Sequence, residues 1–190
     1  MSKIIIFSTS ARAGSYNQKL ADYALNYLSQ KPSYEVEMLY IQSYELPLFH
    51  PDMERPSKLM QLKEKFIAAD GLIVASCEYN SSFSPLFKNM IDWLSLSDLG
   101  EPPLALTAFR NKMALVCSAS PGNLGGIRST QATHLLLNNL DMSMIPYTFN
   151  LPSAHDIIDT FDIHPLADKF KQLLDKFSHE LNIRKSFATE

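Results

Sequence analysis

Five apolar runs divide the chain, and between them apolar residues recur at helical spacing. Residues 3–8 carry an unbroken apolar centre of Ile4, Ile5, Ile6 and Phe7, the pattern of a strand covered on both faces. Residues 72–76 and 113–117 read the same way. Residues 34–41 alternate instead, with Val36 and Met38 facing one way and Glu35 and Glu37 the other, which predicts a half-exposed edge strand. Residues 142–145 predict a short fifth strand that stops at Pro146. The stripes between the runs predict helices. Leu20, Ala21, Ala24, Leu25 and Leu28 follow an N-cap at Ser15; Leu59, Leu62, Phe66 and Ala69 lie between a cap at Ser57 and a stop at Asp70-Gly71. Phe87, Met90, Ile91 and Leu94 mark a third helix, and Leu135, Leu136 and Leu140 a fourth that starts near Gly126. Leu166, Phe170, Leu173, Leu174, Phe177 and Leu181 mark the last, from about residue 165. The connection 44–56 holds Pro47, Pro51 and Pro56 and is long for a loop; such connections are often functional covers.

Strands alternate with helices five times. That predicts an α/β protein with a doubly wound, five-stranded parallel sheet and helices on both faces. Runs one, three and four read as central strands, two and five as edges. The order 2-1-3-4-5 places them so; it is the flavodoxin-like order, with its ligand crevice at the switch point beside strand one. The reading is one domain over residues 1–190, without repeats or low-complexity tracts.

Composition narrows the function. The chain is 46% apolar and 19% charged, which excludes a disordered polymer. A net charge of -3 without a basic stripe gives no reason to expect nucleic acid. No apolar run approaches a bilayer-spanning length, so no membrane partner is expected. The apolar run behind Met1-Ser2-Lys3 is too short for a signal peptide, and a cytoplasmic location is the default. The five histidines form neither an HExxH nor a Cys/His cluster, so no metal is expected. Cys77 and Cys117 end adjacent central strands. They are either a redox pair or two small buried thiols in a reducing compartment.

Three polar loops follow the three central strands, and in this topology they meet at one mouth. The first, residues 10–17, resembles a phosphate cradle. A strand-to-helix turn presents unpaired N–H groups at the positive end of a helix. Ser10, Ser15 and Asn17 add donors, and Arg12 adds a fixed charge with a planar fork. The plainer alternative is a helix cap at Ser15 with a solvated Arg12. The second loop sets Tyr79 beside Asn80, which suits a flat heterocycle; alternatively, Tyr79 packs under the next helix. In the third, Gly122, Gly125 and Gly126 allow close approach to a ring edge or form a plain turn. A phosphate at one strand and a ring across the next two is a mononucleotide footprint, and in this topology FMN is the natural ligand.

The chain resembles the NADPH-dependent FMN reductases, a flavodoxin-like group of flavin, quinone, azo-dye and chromate reductases. Their first motif, G-S-x-R-x-x-S-x-N, appears as Thr9-Ser10-Ala11-Arg12-Ala13-Gly14-Ser15-Tyr16-Asn17. Their second, P-E-Y-N-x-S followed by L-K-N-x-I-D-W, appears as Cys77-Glu78-Tyr79-Asn80-Ser81-Ser82 and Phe87-Lys88-Asn89-Met90-Ile91-Asp92-Trp93. Their third, a Ser/Gly turn with G-G-x-R, appears between Ser118 and Arg128. The resemblance implies that Ser10, Arg12, Ser15, Tyr16 and Asn17 hold the FMN phosphate end. It implies that Glu78, Tyr79, Asn80 and Ser81 line the isoalloxazine, and that Ser118, Ser120 and Gly122 border its pyrimidine end. It further implies NADPH or NADH as co-substrate and a small-molecule electron acceptor. No side chain of the protein is then a catalytic acid, base or nucleophile. A homodimer or homotetramer, packed partly through the third helix, is implied as well.

The chain departs from the pattern at several places. Thr9 replaces a glycine, Cys77 replaces a proline, and Pro85-Leu86 stands where many members have glycines; Glu101-Pro102-Pro103 suggests an enlarged loop. These bear on acceptor range and cofactor affinity more than on fold. The alternative function is a non-enzymatic flavodoxin-like electron carrier or a flavin-binding protein. Such carriers are strongly acidic and use a phosphate loop without arginine, which Arg12 and a charge of only -3 oppose.

Overall fold

The computed structural model describes residues 1–98 and 100–188, so the end of the expected domain at residue 190 lies outside the described residues. Ile4, Ile5, Ile6 and Phe7 do form the middle of β1 (Ser2–Ser8). They alternate between two cores, as the period of a strand requires. Ile4 and Ile6 pack with Leu20, Ala24, Phe170 and Phe177, while Ile5 and Phe7 pack with Leu62, Phe66, Phe87 and Trp93. The sheet therefore carries α1 (Tyr16–Ser29) and α6 (Pro165–Ala188) on one face. On the other lie α2 (Leu59–Ala68), α3 (Pro85–Leu94) and α4 (Ile127–Asn139).

β1 pairs in parallel with β2 (Tyr34–Leu39) and β3 (Gly71–Ala75), and β3 with β4 (Met113–Ala119). The observed order is β2-β1-β3-β4-β5, as expected, with β5 (Ser143–Met144) at the far edge. β2 is an edge strand whose Glu37 carboxylate pairs with Lys3 and Lys65. Among the described residues, no helix is long and apolar enough to cross a membrane.

Four local expectations need correction. The edge strand ends at Leu39, and Ile41–Tyr44 winds into a 3-10 turn. Ser57 does not cap α2: the helix grows out of a turn in which the Leu59 N–H reaches the Pro56 carbonyl at 2.9 Å. Asp70-Gly71 is no helix stop. Asp70 Oδ2 accepts the Lys3 N–H at 2.8 Å, and Gly71 opens β3. α4 does not bury Leu135, which is 75% exposed; its inner face is Ser129, Thr130, Thr133 and Leu137. The reason is the polar floor beneath it. Ser129 Oγ donates to the Ser76 carbonyl at 3.0 Å, and the Ser76 and Thr133 hydroxyls bond at 2.8 Å.

Pro146 ends β5, having no N–H for the ladder. The chain then returns as β6 (Phe149–Leu151), which pairs with Cys117, Ser118 and Ala119 of β4. This sixth strand escaped the sequence reading because three residues carry too short a pattern. A short α5 (Ala154–Ile157) follows. The proline-rich connection is strapped to α3: the Pro47 carbonyl accepts from Trp93 Nε1 at 2.7 Å and from Asn89 Nδ2 at 2.9 Å.

Candidate functional site

The first loop runs from the end of β1 into α1. Ser15 caps the helix as expected, its Oγ accepting the Gln18 N–H at 3.3 Å. Ser10 Oγ likewise accepts the Arg12 N–H at 3.3 Å. Both hydroxyls thus spend a lone pair on the backbone and keep a proton to donate. The N–H groups of Gly14, Tyr16 and Asn17 meet no acceptor among the described residues. They collect at the positive end of α1. Exposed Arg12 stands 5.1 Å above the Tyr16 ring centroid, held by a cation–π contact. Donors and charge here fit a phosphate group.

Asn17 is placed differently. It is buried, and its carboxamide pairs with the Ala119 backbone in both directions at 2.9 Å. It fastens α1 to the end of β4.

The second loop is a tight turn. Tyr79 and Ser82 exchange backbone hydrogen bonds of 3.0 and 3.1 Å, and Asn80 and Ser81 between them take φ of 50° and 64°. Two consecutive left-handed residues make a type I′ turn, and asparagine tolerates that region well. The turn leaves Tyr79 45% exposed at the mouth. Glu78 lines the same crevice and reaches α4. Its carboxylate accepts the N–H groups of Arg128 (3.1 Å) and Ser129 (3.3 Å) and Arg128 Nη1 (3.0 Å). It therefore serves the exposed N–H groups of α4 and meets the positive end of that helix.

In the third loop, Ser120 Oγ accepts the Gly122 N–H at 3.2 Å and keeps its proton. Ser118 has no proton left to donate: its hydroxyl donates to the Gly125 carbonyl and accepts Asn150 Nδ2 at 2.9 Å. Gly125 and Gly126 do not open the loop to a ring. A Cβ at Gly125 would lie 2.8 Å from the Asn150 carbonyl carbon, and one at Gly126 would lie 2.7 Å from Ser118 Oγ. With φ of +60° and +84°, they let the chain close on itself. Gly122 stands open, with only Ser120 Oγ near its missing Cβ.

Three side-chain bridges tie these loops pairwise: Asn17 to Ala119, Glu78 to α4, and Thr9 to Cys77. Thr9, Arg128 and Asn150 are contributors that were not among the expected site residues. Thr9 signalled itself as a departure from the motif, whereas Asn150 lies on the unforeseen β6. Between the loops is a crevice of about 110 Å³, where Ser10, Arg12, Ser15, Tyr16, Asn17, Glu78, Tyr79 and Ser120 of the expected residues come together beside Cys77. Cys77 faces this crevice. Cys117 is fully buried in the α1–α6 core, where burial pushes its thiol far above the ordinary range. Both are free thiols.

A larger hollow of about 400 Å³ lies at the other end of the sheet, beside Arg110, Lys112, Arg184 and Lys185. Three of these cations have structural work. Lys112 donates to the Ile67 and Ala69 carbonyls, Lys185 to Asp70, and Arg110 to Asp141. Lys112 meets the carbonyl end of α2, and Lys185 lies in the last turn of α6, each a cation at a negative helix end.

The sheet order is flavodoxin-like, and the three polar loops meet in a crevice at its rim. The family model of NADPH-dependent FMN reductases matches residues 2–156, and the chain belongs to that family. An NAD(P)H-dependent FMN reductase of Pseudomonas aeruginosa is 32% identical over 143 residues, 74% of this chain and 71% of that protein. An NADPH:quinone oxidoreductase of Arabidopsis thaliana is 31% identical over 183 residues, 90% and 88% of the two chains. Among solved structures, the flavoenzyme NAD(P)H:acceptor oxidoreductase FerB of Paracoccus denitrificans superposes with a TM-score of 0.78. It covers 97% of this chain and 99% of its own at 20% identity, a likeness of fold.

Proposed function

We propose that this chain is an FMN-dependent NAD(P)H oxidoreductase that passes reducing equivalents to a small acceptor: a quinone, an azo compound, a flavin or a metal oxyanion. Family membership and the activities named for its relatives support this. The observation that carries it is the acceptor-less set of N–H groups at Gly14, Tyr16 and Asn17 beside Arg12. FMN, when bound, supplies the hydride and electron chemistry, and the protein supplies binding and orientation.

In this reading Ser10, Ser15 and Arg12, with the free N–H groups, bind the phosphate. Tyr16 backs Arg12. Asn17 offers its backbone while its side chain holds the loop to β4. The Tyr79–Ser82 turn, with Asn80 and Ser81 at its tip, borders the ring, and Glu78 aims that turn by anchoring it on α4. Ser120 and Gly122 border the far end of the ring, over Ser118. Arg12 also attracts an anionic co-substrate.

One domain does this, acting as a homodimer or homotetramer in the cytoplasm. Two free thiols fit a reducing compartment. Leu48, Tyr79 and Leu124 are exposed apolar residues that a second copy would cover.

The test is an absorbance spectrum of the purified protein, chromatographic identification of any released flavin, and NADPH oxidation with a quinone. A yellow protein that releases FMN and turns over is expected. A colourless protein that refuses added FMN overturns the proposal.

A further inference from the structure

Thr9 and Cys77 replace a glycine and a proline of the family motifs, and in the folded chain they touch. The Cys77 N–H donates to Thr9 Oγ1 at 2.9 Å, and the Thr9 hydroxyl in turn faces Cys77 Sγ at 3.4 Å. Thr9 is fully buried and Cys77 nearly so. Among the described residues neither group has another partner. The Thr9 backbone is itself pinned, its N–H to the Ala75 carbonyl at 3.0 Å and its carbonyl to Ser84 Oγ at 2.6 Å.

Each substitution makes sense only with the other. A glycine at position 9 would leave the Cys77 N–H buried without an acceptor. A proline at position 77 would leave the Thr9 hydroxyl without its N–H donor. A buried orphan of either kind is costly, whereas removing both partners together is nearly neutral.

We infer that Thr9 and Cys77 form a matched lock which holds the phosphate loop and the ring loop in register, making them positioning residues for the cofactor. The inference rests on the FMN reading above. Thr9 immediately precedes Ser10, and Cys77 immediately precedes Glu78. The lock therefore sits at the root of both loops, and among the described residues it and the Ser84–Thr9 bond are what tie the first loop to the segment of the second. When it is broken, the orphaned group gains water by letting the loops part. Only the closed fraction then binds, and apparent affinity falls by that fraction. A ligand that spans both loops is hurt more than one that engages the ring loop alone.

The test is fluorescence titration of the apoprotein with FMN and with riboflavin, which lacks the phosphate. Thr9→Val is expected to weaken FMN about tenfold, from a closed state reduced to a tenth, and to lower the FMN-to-riboflavin affinity ratio. Thr9→Ser, which keeps the hydroxyl, is expected to restore both. Thr9→Gly and Cys77→Pro are each expected to weaken FMN, and the double variant is expected to lose no more than either alone. An unchanged ratio in Thr9→Val, or a double variant whose loss equals the product of the two single losses, overturns the lock. Failure of the wild-type protein to bind FMN at all would instead overturn the reading beneath it.

Discussion

Asn17 and Ala119 form a two-way clasp: Nδ2 donates to the Ala119 carbonyl and Oδ1 accepts the Ala119 N–H, both at 2.9 Å. The clasp joins residues 102 positions apart and is buried. Asn17→Ala strands both backbone groups, and a loss of about 2 kcal/mol is expected. Urea unfolding should show a lower midpoint with an unchanged slope. An unchanged midpoint would mean that the clasp contributes nothing.

Arg12 tests the phosphate end. Arg12→Ala should weaken FMN by about 1.5–3 kcal/mol, the range for hydrogen bonds to charged groups. Riboflavin binding should hardly change, because the missing contact is to the phosphate. Fluorescence titration of both ligands decides it, and equal losses would place Arg12 elsewhere.

Glu78 should act through stability as well as binding. Its carboxylate satisfies two N–H groups at the start of α4 and Arg128, so Glu78→Ala removes the equivalent of a helix cap. A loss of about 1–2 kcal/mol is expected. Because Arg128 is exposed, the ion pair adds little to that. Thermal unfolding of Glu78→Gln, which keeps one acceptor oxygen, should fall between the wild type and Glu78→Ala.

Acid should weaken the fold through Asp98 and Glu37. Burial by itself would raise the Asp98 carboxyl, but hydrogen bonds from Lys63 and Arg55 overcome it and hold the group below its ordinary value. Glu37 behaves alike, with burial opposed by Lys65 and Lys3. Both carboxyls then bind protons more weakly in the folded chain than in the unfolded one. Their contribution is complete above the unfolded values of about 4 and is lost as pH falls through the lower folded ones. Unfolding midpoints measured from neutral to acid pH should drop below about pH 5, and Asp98→Asn should flatten that drop.

Cys117 should be inert while the chain is folded. Burial keeps its thiol protonated, and the thiolate is the reactive form. Mass spectrometry after brief alkylation should find Cys117 unmodified in native buffer and modified in urea. Rapid native modification would contradict the placement of Cys117 in the core.

The sequence by itself determined the strand-and-helix alternation, the sheet order and the rim where the loops meet. Those follow from local periodicity, which a linear chain displays directly: Ile4 to Phe7 announce a buried strand wherever they are placed. It also displayed the short-range chemistry of the first loop, since Ser15, Arg12 and the N–H groups of α1 act within a few residues of one another. Only the tertiary structure decided where side chains spend their hydrogen bonds. The Asn17 carboxamide bonds Ala119, the Glu78 carboxylate bonds the start of α4, and Gly125 and Gly126 make room for Ser118 and Asn150. Partners so distant along the chain leave no periodic trace. The coupling of Thr9 to Cys77 belongs to the same class, because two departures 68 positions apart become one contact only when β1 and β3 lie side by side.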